Sequence, residues 1–336
     1  MKTPNLCLVL LGLGACSAAF AEYRIVSHFA IGGDGGYDYL RVDPTARRLF
    51  VSHGTKVEVL DVDSGKKLAV IAPTPGVHGI AFAPEFNHGF ITNGGDGSVT
   101  MFDLKTLQPV AVIKSTGSRP DALDYDADTK QLFVCNHGSG NITVMDADKG
   151  TVKATLELGG ALEEVTFDGR GRLFVNAEDR NVIYAVDTRS LKLIATWPVA
   201  PGEGPTGLAI DREHHRLFSA AGNKLVVINS DTGAVVAAVP IGEDPDGATF
   251  EPATGMVFAP TKDGQLTIIH EDGPDKYSVV QTLATQHGCR TITLDQKTGR
   301  VFMPTGKFTP IPSTTQGGPA REKLTPESFE VLVVGK

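Results

Sequence analysis

Asp38, His78, Asp121, Glu163, Thr206, Asp246 and Arg290 hold one repeated position in this 336-residue chain. Each stands four residues before the last apolar residue of a short strand-like run, namely Val42, Phe82, Tyr125, Phe167, Ile210, Phe250 and Leu294. Four carboxylates, an imidazole and a guanidinium are costly choices where Ser or Gly would serve. Gathered in space, they would form a site for a cation or a polar ligand, with Asp38, His78, Asp121 and Asp246 as candidate ligands of a divalent ion. The same residue types also cap strand ends by accepting backbone N–H bonds, and Arg290 would neutralise its neighbours. A second set lies in turns expected on the same face: His53 in "SHGT", Asn93 in "TNGG", His137 in "CNHG", Glu178 in "NAED" and Lys262 in "PTKDG". His287 in "TQHGCR" is a weaker candidate, and no role is read for His28, His88, His214, His215 or His270.

The elements that must position these residues repeat. Phe50, Phe90, Phe133, Phe174, Phe218, Phe258 and Phe302 recur at intervals of 40, 43, 41, 44, 40 and 44, and self-similarity at a fixed period marks a repeat architecture. In each unit an apolar stretch ends in an acid, as in "YLRVD" or "GLAID". The Phe strand, a Gly/Asn/His turn, an alternating strand such as "NITVMD" and a last strand after a tight turn follow. Period-2 alternation between Gly/Asp/Asn turns reads as strand, and no segment sustains a 3.6-residue period. The expectation is an all-β, seven-bladed β-propeller of four-stranded antiparallel blades over residues 22–336. The last unit stops after three strands while "YRIVSHFAIGG" begins the region with a fourth-strand pattern. Residues 22–31 should therefore pair with 328–334 and close the ring.

"FITNGGDGSVTMFDLKTLQPVAVI" resembles the YVTN-type repeat of bacterial secreted, YncE-like propellers, and the resemblance runs over 22–336. It implies the fold and an extracytoplasmic setting. It does not imply a reaction, because propellers host both binding modules and enzymes.

Composition narrows the partners. With 39 acidic against 31 basic residues the formal charge is −8, and no basic patch marks a nucleic-acid surface. Lys2, the apolar run "LCLVLLGLGACSAAF" and the small residues of "AFA" read as a signal peptide, residues 1–21, cleaved after Ala21 for periplasmic or secreted export. "LGAC" offers a second route, a lipoprotein anchored at Cys16. No later run is long enough to span a membrane. Cys135 and Cys289 fall in blades three and seven and should stay unpaired. Haem, nucleotide and serine-hydrolase motifs are lacking, and a lone Trp197 argues against tryptophan-rich quinone-dependent propellers.

These features point to a monomeric binding module whose polar, acidic face receives a small molecule, a metal ion or a protein. The alternative is a metal-dependent, lactonase-like hydrolase or lyase, in which the ion polarises a carbonyl and a carboxylate acts as base. The Pro/Gly-rich connection 307–326 is either a lid over this face or a flexible insertion.

Overall fold

In a computed structural model of the chain, residues 21–311 and 321–336 are described. The expected signal segment with Cys16 lies, Ala21 apart, outside the described residues. So does the middle of the 307–326 connection, whose described parts, Phe308–Ile311 and Arg321–Leu324, pair as an antiparallel hairpin.

Seven four-stranded antiparallel sheets follow one another along the chain. Their first strands are Leu40–Asp43, Val77–Ala83, Pro120–Asp126, Leu162–Phe167, Pro205–Asp211, Thr249–Glu251 and Thr293–Asp295. These strands contact their counterparts in the neighbouring blades and so ring a central channel. The fourth strands form the rim. In Pro109–Lys114, Val110 and Val112 are exposed while Ala111 and Ile113 turn inward, as alternation in a half-buried strand requires.

The core is not one mass. It consists of seven apolar layers, each between two adjacent blades. The seven repeated phenylalanines, 50, 90, 133, 174, 218, 258 and 302, are all fully buried in these layers. Burying each such ring contributes about 1.5–3 kcal/mol, so one Phe per blade glues each sheet to its neighbour. The second and third strands are covered on both faces, which is why "RLFVSH" and "KVEVLD" read as nearly continuous apolar runs.

Ring closure is as the sequence requires. Arg24–Ala30 pairs antiparallel with Glu330–Gly335, from Arg24↔Gly335 to Ala30↔Glu330, and completes the last blade in the order fourth, third, second, first strand. Cys135 and Cys289 are both free and buried. Among the described residues no helix is long and apolar enough to cross a membrane.

Equivalent polar residues in blades two and three play equivalent parts. Asn93 donates from Nδ2 to Ser98 Oγ (2.9 Å) and Thr100 Oγ1 (2.8 Å), and Asn136 donates to Asn141 Oδ1 and Thr143 Oγ1, both at 2.9 Å. Each ties the ends of the hairpin between second and third strands. Asp103 and Asp146 each cap the next turn by accepting two backbone N–H bonds.

Candidate functional site

The seven repeated polar positions sit where the first strands enter the blades. In blades two to five the pairing with the second strand slips at this point, between Val77 and Ile80, Pro120 and Leu123, Leu162 and Val165, and Pro205 and Leu208. His78, Asp121, Glu163 and Thr206 each follow the last paired residue and lie outside the regular ladder. Such an irregularity redirects a side chain, here into the mouth of the channel. In blades one, six and seven Asp38, Asp246 and Arg290 precede the strand altogether.

All seven line one open cavity of about 470 Å³. His137 and Glu178 join them from the second loop set. His53, Asn93 and Lys262, expected on this face, do not line it. His53 is fully buried against the Phe329 ring, with centroids 4.4 Å apart, and its Nδ1 lies 3.5 Å from Glu58 Oε1. Glu58 is itself paired with Lys56 (2.9 Å) and Lys67 (3.0 Å). Asn93 is spent on its hairpin. Lys262 lies in a neighbouring cavity beside the Phe308 hairpin, 3.5 Å from Glu322. His287 meets the same Glu322 at 2.8 Å. Arg290 lines both cavities.

Three further charged residues of the cavity were not legible in the sequence: Arg119, Glu203 and Asp244. Arg119 and Asp244 stand two residues before Asp121 and Asp246. Both adopt left-handed backbone, φ 50° and 55°, a conformation that residue type and alternation do not announce for Arg or Asp.

The polar groups of the cup form a connected arc. His78 Nδ1 is 2.5 Å from Asp38 Oδ2 and 3.6 Å from Asp121 Oδ2. His137 Nδ1 is 2.7 Å from Glu163 Oε1, but off the direction of a hydrogen bond. Arg290 Nε is 3.2 Å from Asp246 Oδ2. Gly94 makes room for the His78 imidazole, since a Cβ there would stand 2.7 Å from both its Cδ2 and Nε2.

Burial sets the electrostatics. It pushes the Asp121 carboxyl up to about 8, helped by the charge of Asp38 and opposed by His78. Burial and the charges of Glu178 and Asp38 push Glu163 to about 8. Burial holds Asp246 well above the usual carboxylate range although Arg290 opposes it. Burial works against the His78 imidazolium, but its bond to Asp38 and the charge of Asp121 outweigh that and hold it at about 9. Below the ring, burial and the same carboxylates keep the Tyr39 phenol neutral. At neutral pH these buried carboxyls therefore favour their protonated forms.

The capping alternative can be judged within the molecule. At the far turns, between first and second strands, Asp43, Asp126, Asp168, Asp211 and Asp295 each accept backbone N–H bonds. Among the described residues no ring carboxylate does so. The side chains of Asp121 and Glu163 accept no hydrogen bond among the described residues, and only 8% and 9% of each is exposed. Two groups of side chains bring ligand atoms within 4.8 Å of one another in the cup: Asp38, His78 and Asp121, and Asp121, His137 and Glu163. A third such group, Asp211, His214 and Glu271, lies at a far turn, where Asp211 spends both oxygens on the N–H groups of Glu213 and His214.

No protein-family model matches the chain, and no curated protein matches it in sequence. Solved structures do. A chain of Kuenenia stuttgartiensis hydrazine synthase aligns with a TM-score of 0.71 at 15% identity, over 84% of this chain and 96% of that one. A chain of a mitotic checkpoint complex aligns with a TM-score of 0.72 at 16% identity, over 90% of this chain and 96% of that one. Likeness at this identity is likeness of fold, and together with the order of the strands it makes this chain a seven-bladed β-propeller.

Proposed function

We propose that the protein is a binding module whose channel-mouth cup holds a divalent cation. The observation that carries this reading is the contrast between the two ends of the blades. Carboxylates at the far turns are consumed by backbone N–H groups, whereas in the cup Asp121 and Glu163 are buried, accept none among the described residues, and with Asp38 converge on two histidines. Burying carboxylates that serve no local bond costs stability, and a bound cation offsets that cost. Mixed imidazole and carboxylate donors suit first-row transition ions such as manganese or zinc better than calcium or magnesium. The signal-like N-terminus and the YVTN-type repeat support a place of action outside the cytoplasm.

The test is a melting series on chelator-treated protein with calcium, magnesium, manganese, zinc and copper. An ion at about a hundred times its Kd adds about 2.7 kcal/mol of stability, so a transition ion should raise the melting temperature by several degrees. No shift with any of the five ions overturns the reading. A lactone-hydrolysis screen with the ion that shifts melting separates a binding module from a metal-dependent hydrolase, because hydrolysis lost on chelation would establish the latter.

A further inference from the structure

The cup contains not one group of cation ligands but two, and they share a residue. Asp38, His78 and Asp121 converge on one side, and Asp121, His137 and Glu163 on the other. We propose, resting on the cation reading above, that Asp121 bridges a pair of divalent cations in the channel mouth. One ion is held with Asp38 and His78, the other with His137 and Glu163.

Asp121 belongs to the third blade and stands between His78 of the second and Glu163 of the fourth, so its carboxylate has a histidine–carboxylate pair on either hand. It emerges from the irregular pairing between Pro120 and Leu123, which frees its side chain from the sheet. Only 8% of that side chain is exposed, it lines the cavity, and neither oxygen accepts a hydrogen bond among the described residues. Both oxygens are thus available, which a bridge needs and a single-ion site does not. His78 Nδ1 lies 3.6 Å from Asp121 Oδ2, too far for a hydrogen bond. Two donors on one ion at about 2.1 Å stand roughly 3.0–3.4 Å apart in tetrahedral or octahedral geometry, so an ion seats there when it replaces the proton on His78 Nδ1, the Asp121 contact closing slightly and the 2.5 Å contact with Asp38 opening. On the other side, the 2.7 Å approach of His137 Nδ1 to Glu163 Oε1 is not a hydrogen bond, and it would open slightly to admit one. Carboxylate-bridged ions lie about 3.5–4 Å apart in known paired sites, a separation within the reach of one Asp.

The experiment is to load chelator-treated protein with manganese, remove the excess, and read metal per chain by elemental analysis and ion–ion coupling by electron paramagnetic resonance. The expected result is two ions per chain with a spin-coupled spectrum. His78→Ala and His137→Ala should each fall to one ion per chain with an uncoupled spectrum. If either variant fails to fold by circular dichroism, Asp38→Asn and Glu163→Gln replace it with the same expected loss. One manganese per wild-type chain overturns the pair and leaves the cation reading standing. Two ions without coupling overturn the bridge. No bound manganese overturns the pair, and the cation reading falls with it when none of the five ions shifts the melting temperature.

Discussion

Asp121→Asn should make the metal-free protein more stable while destroying its ion site. The side chain is nine-tenths buried, and burial together with Asp38 holds its carboxyl at about 8, whereas a free Asp ionises near 3.8. At pH 7 folding must therefore place a proton on a group that the unfolded chain leaves ionised. At 1.36 kcal/mol per pH unit this costs about 4 kcal/mol. Asparagine has the same shape and no proton to recover. The opposing pull of the His78 imidazolium, 3.6 Å away, is already contained in that value, and a protonated carboxyl and an amide are alike in charge. For a protein of this size about 4 kcal/mol corresponds to roughly 6 °C in melting temperature. The sign with pH is fixed. A carboxyl raised in the folded state favours folding fully below its unfolded value and progressively less as pH climbs to its folded value. The advantage of the variant should thus be absent near pH 4 and widen up to pH 8. Calorimetry of chelator-treated protein across this range reads it directly. Asp126→Asn is the control. Asp126 accepts Asp128 N (3.1 Å) and Thr129 Oγ1 (2.8 Å), so its loss should cost about 1 kcal/mol. If Asp121→Asn melts lower than wild type at every pH, Asp121 has a structural duty and the reasoning fails.

Three other outcomes follow from the same geometry. Removing residues 22–30 strips the strand paired with Glu330–Gly335 and the core rings Tyr23 and Phe29; circular dichroism should show the whole transition move down by many degrees, and an unchanged melt would refute closure by this strand. Cys135 and Cys289, both buried and with thiols raised chiefly by burial, should resist a thiol reagent in the native protein, react in denaturant, and show no disulfide by mass spectrometry. Gly94→Ala places a methyl 2.7 Å from the His78 ring; it should weaken ion binding about tenfold or more while leaving the melting temperature of the metal-free protein within a few degrees, and equal affinity would remove His78 from the site.

The fold was legible because propeller blades repeat their burial. One Phe per unit falls in one layer of core, so a period near 42 maps directly onto geometry, and an unfinished last unit announces its missing strand. The ring of the cup was legible for the same reason: equivalent residues at the entry of equivalent strands share a height and a face. The second loop set was only half legible. A residue just past a strand can turn into the channel or into the blade, and the sequence does not say which. His137 turned outward to Glu163, whereas His53 turned inward onto Phe329, and Asn93 was claimed by its own hairpin. Tyr39 was passed over because an aromatic beside Asp38 reads as core, although the charges of four carboxylates act on it.

The central claim, that the cup binds a divalent cation through its unspent carboxylates, is tested most directly by calorimetric titration of chelator-treated protein with zinc and with manganese at pH 8. Wild type and the double variant Asp121→Asn, Asp246→Asn are compared. Saturable binding by wild type is predicted, weakening on acidification to pH 6 as protons return to Asp121 and Glu163. The double variant should give no binding yet still melt cooperatively. The absence of saturable heat in wild type with both ions, or equal binding by the double variant, would contradict it.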